Sequence, residues 1–182
     1  MPNISEAKVL MIATDGYEDS ELLEPRRILR ERGAQVTLAS LEKGEIEGDN
    51  GAKVEVDRLV ADVNPDDFDL LVLPGGTKNP DKLRMDETVV ATIRAFAGAG
   101  KPVAAICHGP WLLVEADLVR GRRVTSWPSI RTDLRNAGAE VVDEEAVTDG
   151  NLVTSRKPED IPAFTEALIA LYEKAEAPLE TA

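Results

Sequence analysis

Residues 101–111 read Lys-Pro-Val-Ala-Ala-Ile-Cys-His-Gly-Pro-Trp and contain the only cysteine and the only histidine of the 182-residue chain. The apolar run 103–106 predicts a buried strand, and Gly109-Pro110 predicts a sharp turn whose proline can begin a helix. Cys107 therefore lies where a strand breaks into a helix, as the nucleophile of an α/β hydrolase does. A lone cysteine after an apolar strand is also commonly a small buried residue, so both interpretations stay open.

Strands and helices are predicted to alternate on both sides of this corner. Apolar runs predict strands over 8–13, 35–39, 54–60, 69–73, 122–125, 141–142 and 152–154. Helical periodicity predicts helices over 18–32, where Pro25 either kinks the helix or begins it, and over 86–99, 110–115, 130–136 and 158–174. Segment 41–53 predicts a loop or a hairpin.

This alternation predicts one α/β domain over residues 1–182, with its core at about 8–174 and a frayed C-terminal tail. The sheet is expected to be mostly parallel and covered by helices on both faces. In such a sheet the binding crevice lies beyond the carboxyl ends of the strands.

Composition excludes several classes of function. A formal charge of −13 opposes binding to nucleic acid or to anionic lipid, and no apolar run approaches the ~20 residues of a membrane span. One cysteine and one histidine are too few for an ordinary zinc site, and Gly75-Gly76 lacks the dinucleotide-binding pattern, so we expect no metal and no cofactor. With a single cysteine and no visible secretory segment, we expect a cytoplasmic protein.

Three strand ends hold residues suited to chemistry at the predicted crevice. Glu18 follows the first strand, where it either complements the helix dipole or, when protonated, donates a hydrogen bond to a thiolate. Gly75 and Gly76 form either an ordinary tight turn or a pair of backbone N–H donors to an oxyanion.

Two further residues near the predicted crevice also have alternative interpretations. Adjacent side chains on a regular helix or strand do not face each other, so contact between His108 and Cys107 depends on the corner. A histidine acting as a base also needs a third group to orient it. Trp127 either lines the crevice or packs against the core.

Several separated sequence blocks carry a family resemblance. They are Asp15-Gly16-Tyr17-Glu18-Asp19, Leu73-Pro74-Gly75-Gly76, Ala105-Ile106-Cys107-His108-Gly109-Pro110, Thr125-Ser126-Trp127-Pro128, Asn136-Ala137-Gly138-Ala139 and Thr154-Ser155-Arg156. In this order they resemble the PfpI family of the class I glutamine-amidotransferase-like superfamily. The resemblance implies a flavodoxin-like three-layer α/β sandwich that assembles as a homodimer or a higher homo-oligomer.

The resemblance also implies roles for individual residues. Cys107 would be the nucleophile on a strained elbow, and Glu18 would hydrogen-bond to its sulfur. In peptidase-like members the histidine pairs with a glutamate from a neighbouring subunit, a position that corresponds here to Asp81. Because this acid is one methylene shorter, peptidase activity is in doubt. Glutamine amidotransfer is set aside because it needs a histidine far downstream of the cysteine, and His108 is the only histidine.

Family members act as intracellular peptidases, as deglycases or glyoxalases, or as redox-responsive and chaperone-like stress proteins. Our leading hypothesis is a cytoplasmic stress-protective hydrolase whose Cys107 attacks small reactive carbonyls or their adducts on damaged proteins. His108 and Glu18 would assist, and Gly75 and Gly76 would hold the oxyanion. The alternatives are an oligomeric cysteine peptidase and a non-enzymatic redox sensor or chaperone.

Overall fold

A seven-stranded sheet runs through the centre of the computed structural model, which describes residues 2–174. Along the chain the strands and helices are β1 Lys8–Ile12, α1 Asp19–Glu31, β2 Gln35–Ser40, β3 Glu45–Glu47, β4 Lys53–Glu55, β5 Arg58–Leu59, β6 Leu70–Leu73, α2 Lys78–Leu83, α3 Glu87–Gly98, β7 Val103–Ile106, α4 Pro110–Glu115, β8 Arg123–Val124, α5 Arg131–Asn136, β9 Glu140–Val141, β10 Val147–Asp149, β11 Leu152–Ser155 and α6 Ile161–Lys174. The order across the central sheet is β10-β11-β7-β6-β1-β2-β5. All neighbours pair in parallel except β10 and β11, which are antiparallel.

Side chains alternate between the two faces of this sheet, and helices cover both faces. From β1, Val9 and Met11 join one buried cluster with residues of α1 and α6, whereas Leu10 and Ile12 join a second cluster with residues of α3, α4 and α5. Burying each large apolar side chain contributes about 1.5–3 kcal/mol, so both layers stabilise the sheet between them. The predicted three-layer α/β sandwich is confirmed.

Most predicted elements are present, and the differences lie in short pieces. The 41–53 segment belongs to a hairpin in which β3 pairs antiparallel with β4. The single strand predicted over 54–60 is divided between β4 and the edge strand β5, because the chain leaves the hairpin to reach β2. Sequence periodicity missed α2 and β10, which are too short to show a repeating pattern.

Helix α1 continues through Pro25, so this proline does not mark the beginning of the helix. Its ring is buried, and packing against the core offsets the missing hydrogen bond. The predicted frayed tail beyond Lys174 lies outside the described residues. Within residues 2–174 no helix is both long enough and apolar enough to cross a membrane.

The strand order determines where the crevice lies. Strands β11, β7, β6 and β1 are adjacent and parallel, so the segments that follow them meet at one edge of the sheet. After β1 the chain continues to β2 on one side of β1, and β6, which comes later in the sequence, pairs with the other side. The strand order therefore reverses at β1, which is the topological switch point of the sheet.

Candidate active site

Cys107 occupies a strained elbow between β7 and α4. Its φ angle is 64°, in the left-handed region that non-glycine residues seldom adopt. Neighbouring segments hold it there: the Cys107 N–H donates to the Ser155 carbonyl at 3.0 Å, and the Cys107 carbonyl accepts the Trp127 N–H at 2.9 Å. The predicted strand–turn–helix corner is therefore present.

The turn after Cys107 requires a glycine. A Cβ on Gly109 would come within 2.8 Å of the carbonyl oxygens of Ile106 and Leu73. Without it, the Gly109 N–H donates to Ile106 at 2.8 Å, and Pro110 begins α4. The close turn pushes the Cys107 side chain toward the ends of β6 and β1.

The Cys107 sulfur lies in a buried environment with both favourable and unfavourable contacts for a thiolate. Only 6% of the residue is exposed, and this burial raises the pKa of the thiol, followed by the nearby charge of Glu21. The backbone N–H groups of Gly76 and His108 hydrogen-bond to the sulfur and lower its pKa. A thiolate at this position thus depends on the protonation state of Glu21.

Glu21 is the carboxylic acid that contacts this sulfur. It lies in the first turn of α1 and is fully buried, and its carboxyl is near enough to Cys107 for each group to shift the pKa of the other. Its Oε1 accepts the Gly75 N–H at 2.9 Å, whereas Oε2 is buried and has no hydrogen-bond partner among the described residues. Burial, and then the charge of Glu18, raise the pKa of Glu21 to about 8. At neutral pH the acid therefore retains its proton and can donate it toward a thiolate.

The structure corrects the role expected for Glu18. Glu18 is the N-cap of α1, and its Oε2 accepts the Glu21 N–H at 2.9 Å and the Ser20 hydroxyl. An N-cap side chain folds back onto the first helical turn, so this carboxylate is engaged there. Glu21, three residues later, takes the place beside the sulfur that the sequence prediction assigned to Glu18.

The Gly75-Gly76 turn also differs from the prediction in part. The Gly75 N–H donates to Glu21, so it is not available to an oxyanion. A Cβ on Gly75 would lie 2.4 Å from Glu21 Oε1 and 2.7 Å from the Cys107 Cβ, which explains why only glycine fits between them. Gly76, at φ 80°, directs its N–H to the sulfur. The donors beside the sulfur are thus Gly76 and His108.

His108 does contact Cys107, because the elbow removes the regular backbone geometry that separates adjacent side chains. His108 Nδ1 lies 3.3 Å from Cys107 Sγ, and Nε2 lies 3.3 Å from the Ser129 hydroxyl. Burial lowers the pKa of His108, so the ring is neutral at pH 7 and can accept a proton. The sequence prediction missed Ser129, whose hydroxyl is placed to orient this ring; its only sequence signal is its position two residues after Trp127.

The two remaining predicted residues lie around this centre. Asp81 is exposed on α2, and the ring nitrogens of His108 face Cys107 and Ser129 of the same chain. A role for Asp81 from a second subunit stays a prediction. Trp127 is 38% exposed and stacks on His108 with ring centroids 6.3 Å apart, so it lies beside the site; its role in substrate binding also stays a prediction.

Metal binding finds no support in the arrangement of acidic, histidine and cysteine side chains. Among residues 2–174 no three of them cluster in a way that could hold a metal ion. The chemistry available at this corner is that of a thiol, a protonated carboxyl, a neutral imidazole and two backbone N–H donors.

Comparison with known proteins finds relatives that match nearly the whole chain. The sequence profile of the DJ-1/PfpI family matches residues 7–171. Deglycase PH1704 of Pyrococcus horikoshii is 46% identical over 164 residues, which cover 90% of this chain and 98% of the relative. General stress protein 18 of Bacillus subtilis is 48% identical over 170 residues, which cover 92% and 98%. The crystal structure of Drosophila melanogaster DJ-1beta superimposes with a TM-score of 0.86 at 31% identity, covering 93% of this chain and 94% of that chain.

Proposed function

The chain belongs to the DJ-1/PfpI family, and on this premise we propose that it is a deglycase-like stress-protective enzyme whose Cys107 thiolate attacks reactive carbonyls or their early adducts on proteins. The names of the relatives, a deglycase and a general stress protein, support the class of activity. The observation that supports a cysteine mechanism is the buried Glu21 carboxyl held against the sulfur of the strained elbow.

The first step would be addition of sulfur to an aldehyde carbon. His108 Nδ1, neutral and 3.3 Å from the sulfur, takes the thiol proton, and the protonated Glu21 stabilises the thiolate through its hydrogen bond. As the carbon–sulfur bond forms, the carbonyl π electrons move to oxygen. The N–H groups of Gly76 and His108, which hold the sulfur, are then close enough to hold this oxyanion.

Methylglyoxal illustrates how the reaction can balance without an external oxidant. The thiohemiacetal formed at its aldehyde carbon loses the C–H proton, and the neighbouring ketone carbon gains one. The aldehyde carbon is thereby oxidised to a thioester while the ketone is reduced to an alcohol. Water then cleaves the thioester, so methylglyoxal plus water yields lactate and regenerates the thiol. When the substrate is an adduct of methylglyoxal on a protein thiol or amine, attack by Cys107 releases that thiol or amine. The same rearrangement to a thioester and its hydrolysis then follow.

The cellular setting and assembly belong to the same proposal. A single unpaired cysteine is suited to the reducing cytoplasm. We propose a homodimer or a higher homo-oligomer, in which Asp81 of a second subunit could approach the crevice of the first.

Turnover of methylglyoxal and of its thiol adducts tests the proposal. Purified wild-type protein is expected to form lactate, and the Cys107→Ala variant is expected to form none above the uncatalysed rate. Glu24→Gln, an exposed change on the same helix as Glu21, is the matched control and should retain wild-type turnover. Equal lactate formation by wild type and Cys107→Ala would refute a cysteine-dependent enzyme.

A second candidate is reversible or protective oxidation of Cys107. The protonated Glu21 and the two backbone N–H groups could equally donate to the oxygens of a sulfenate or a sulfinate. Peptide mass spectrometry after mild peroxide treatment should then show the gain of one or two oxygen atoms on the peptide that contains Cys107 in wild type and none on the same peptide in Cys107→Ala. An unmodified Cys107 would exclude this role.

A further inference from the structure

A cleft of about 260 Å³ adjoins the catalytic corner on the side of Trp127. Trp127 forms one wall of this cleft while its ring stacks on His108, so the cleft and the site share a boundary. The other walls are Pro128, Arg131, Asp143, Arg156 and Lys157. Neither the proposed carbonyl chemistry nor the core of the fold requires three cationic side chains here.

Charge sets this cleft apart from the rest of the molecule. The chain has a formal charge of −13, yet the cleft has three cationic side chains, Arg131, Arg156 and Lys157. Within residues 2–174 only two acids, Asp143 and Asp160, form ion pairs with them. Arg156 is fixed in place because its Nε and Nη2 both donate to the buried Asp160, at 2.9 and 3.0 Å. A rigid guanidinium is a good recognition group because it loses little freedom on binding.

Asp143 is the second acid, and it occupies the cleft loosely. A single oxygen, Oδ1, accepts from Arg131 Nη2 and from Arg156 Nη1, both at 2.9 Å, while 65% of the side chain remains exposed. Exposed ion pairs of this kind contribute only about 0–1 kcal/mol. A carboxylate entering the cleft could therefore replace Asp143 between the two guanidinium groups.

Unpaired positive charge also remains in the cleft. Lys157 forms no ion pair within residues 2–174. Its ammonium group can therefore pair with a carboxylate that enters the cleft.

The chain connectivity links these arginines to segments that contact the catalytic corner. Arg156 follows Ser155, whose carbonyl accepts the Cys107 N–H at 3.0 Å. Arg131 lies two residues after Ser129, whose hydroxyl is 3.3 Å from His108 Nε2. A substrate whose carboxylate is held by both arginines could therefore extend past Trp127 and His108 toward Cys107.

We propose that this cleft is a carboxylate-binding subsite, which selects carbonyl adducts carrying a carboxylate near the reacting carbon, and that Asp143 is its built-in competitor. The inference rests on the proposed function for its substrate, but the binding of a carboxylate does not depend on turnover. Guanidinium groups pair with carboxylates through charge-assisted hydrogen bonds, which supply the selectivity.

Two matched substrates test the subsite. The methylglyoxal adduct of N-acetylcysteine carries a carboxylate, and that of N-acetylcysteinamide carries a neutral amide in its place. Wild-type kcat/KM should be about ten-fold higher for the carboxylate, as expected for the gain of one charged hydrogen-bonded pair. Equal values for the two substrates, with turnover intact, would overturn the subsite and leave the proposed function standing.

Two variants should change this selectivity in opposite directions. Arg131→Gln should reduce the preference for the carboxylate, and Asp143→Asn should increase it because the competing charge is gone. Both should leave kcat/KM for the amide near the wild-type value. Arg120→Gln, which changes an exposed arginine whose one ion pair within residues 2–174 is with Asp117, is the control and should change kcat/KM for neither substrate. A decrease in Asp143→Asn would contradict the role of Asp143 as competitor.

A binding measurement separates the subsite from the reaction. Calorimetric titration of the Cys107→Ala protein with N-acetylalanine and with its amide should show binding of the carboxylate only, tightened by Asp143→Asn. If the wild-type enzyme turned over neither adduct, the proposed function would fail, and this titration alone would decide the subsite. No selective binding of N-acetylalanine would then overturn it.

Discussion

Replacing Glu21 with glutamine tests the unusual protonation state at the centre of the site. Glutamine has the same shape, so its Oε1 can still accept the Gly75 N–H, and its NH2 can face the Cys107 sulfur where Oε2 now lies without a partner of normal geometry. The substitution therefore removes only the ionisation of the side chain at position 21. We therefore expect Glu21→Gln to be more stable than the wild type at neutral and alkaline pH.

The size of the gain follows from the pKa of Glu21, which rises from 4.5 to about 8 on folding. Below pH 4.5 the acid is protonated in both states, so it causes no pH dependence there. Between 4.5 and about 8 the unfolded chain loses this proton while the folded protein keeps it, so unfolding releases a proton and stability falls as pH rises. The loss reaches about 3 kcal/mol at pH 7 and at most about 5 kcal/mol above pH 8.

Urea unfolding measured between about pH 5 and pH 9 checks this prediction by the difference in the free energy of unfolding. The advantage of Glu21→Gln should grow with pH and level off above about pH 8. Glu24→Gln, which changes an exposed acid on the same helix, should show no comparable growth. A constant difference across this range would show that folding does not raise the pKa of Glu21 and would refute the reasoning.

Four further predictions follow from the site. Turnover should fall as pH rises past about 8, because ionised Glu21 repels the thiolate, and a pH–rate profile of Glu21→Gln should lack this limb. Glu18→Ala should lower the free energy of unfolding by about 1 kcal/mol through loss of the helix cap and leave kcat/KM within about two-fold, and a large loss of kcat/KM would restore Glu18 to the catalytic centre. Gly75→Ala should destabilise by about 3 kcal/mol or more in urea unfolding, whereas Gly98→Ala, with open space around its Cβ, should be neutral or stabilising. Ser129→Ala should reduce kcat/KM by about ten-fold and shift the acid limb of the pH–rate profile, while Ser129→Thr should retain the wild-type profile; identical profiles for all three proteins would exclude Ser129 as the orienting group.

The outline of the site could be predicted because it depends on local sequence signals. Gly109-Pro110 after a short apolar strand predicts the corner at Cys107, and an alternating α/β pattern predicts that strand ends share one edge. The family motifs then indicate the elbow. These inferences need no knowledge of the distance between any two segments.

The identity of the acid could not be predicted in the same way. Glu18 and Glu21 are both acidic residues at the start of one helix, separated by nearly one turn. Which of them faces the sulfur depends on where the helix begins, because the N-cap side chain folds back while a residue inside the first turn keeps its helical direction. The position of the N-cap therefore decides which of the two carboxylates is directed at the sulfur.

By itself, the sequence determined the sandwich, the order of its elements and the strand–turn–helix corner at Cys107, since propensity, periodicity and turn residues act over a few neighbours. Only the tertiary structure decided that Glu21 lies beside Cys107, that the Ser129 hydroxyl lies beside His108 Nε2, and that Arg131 and Arg156 meet around Asp143. Each of these contacts joins residues from separate elements. Such contacts depend on how helices rotate and pack on the sheet, and on which polar groups are buried together, and these are properties of the whole fold.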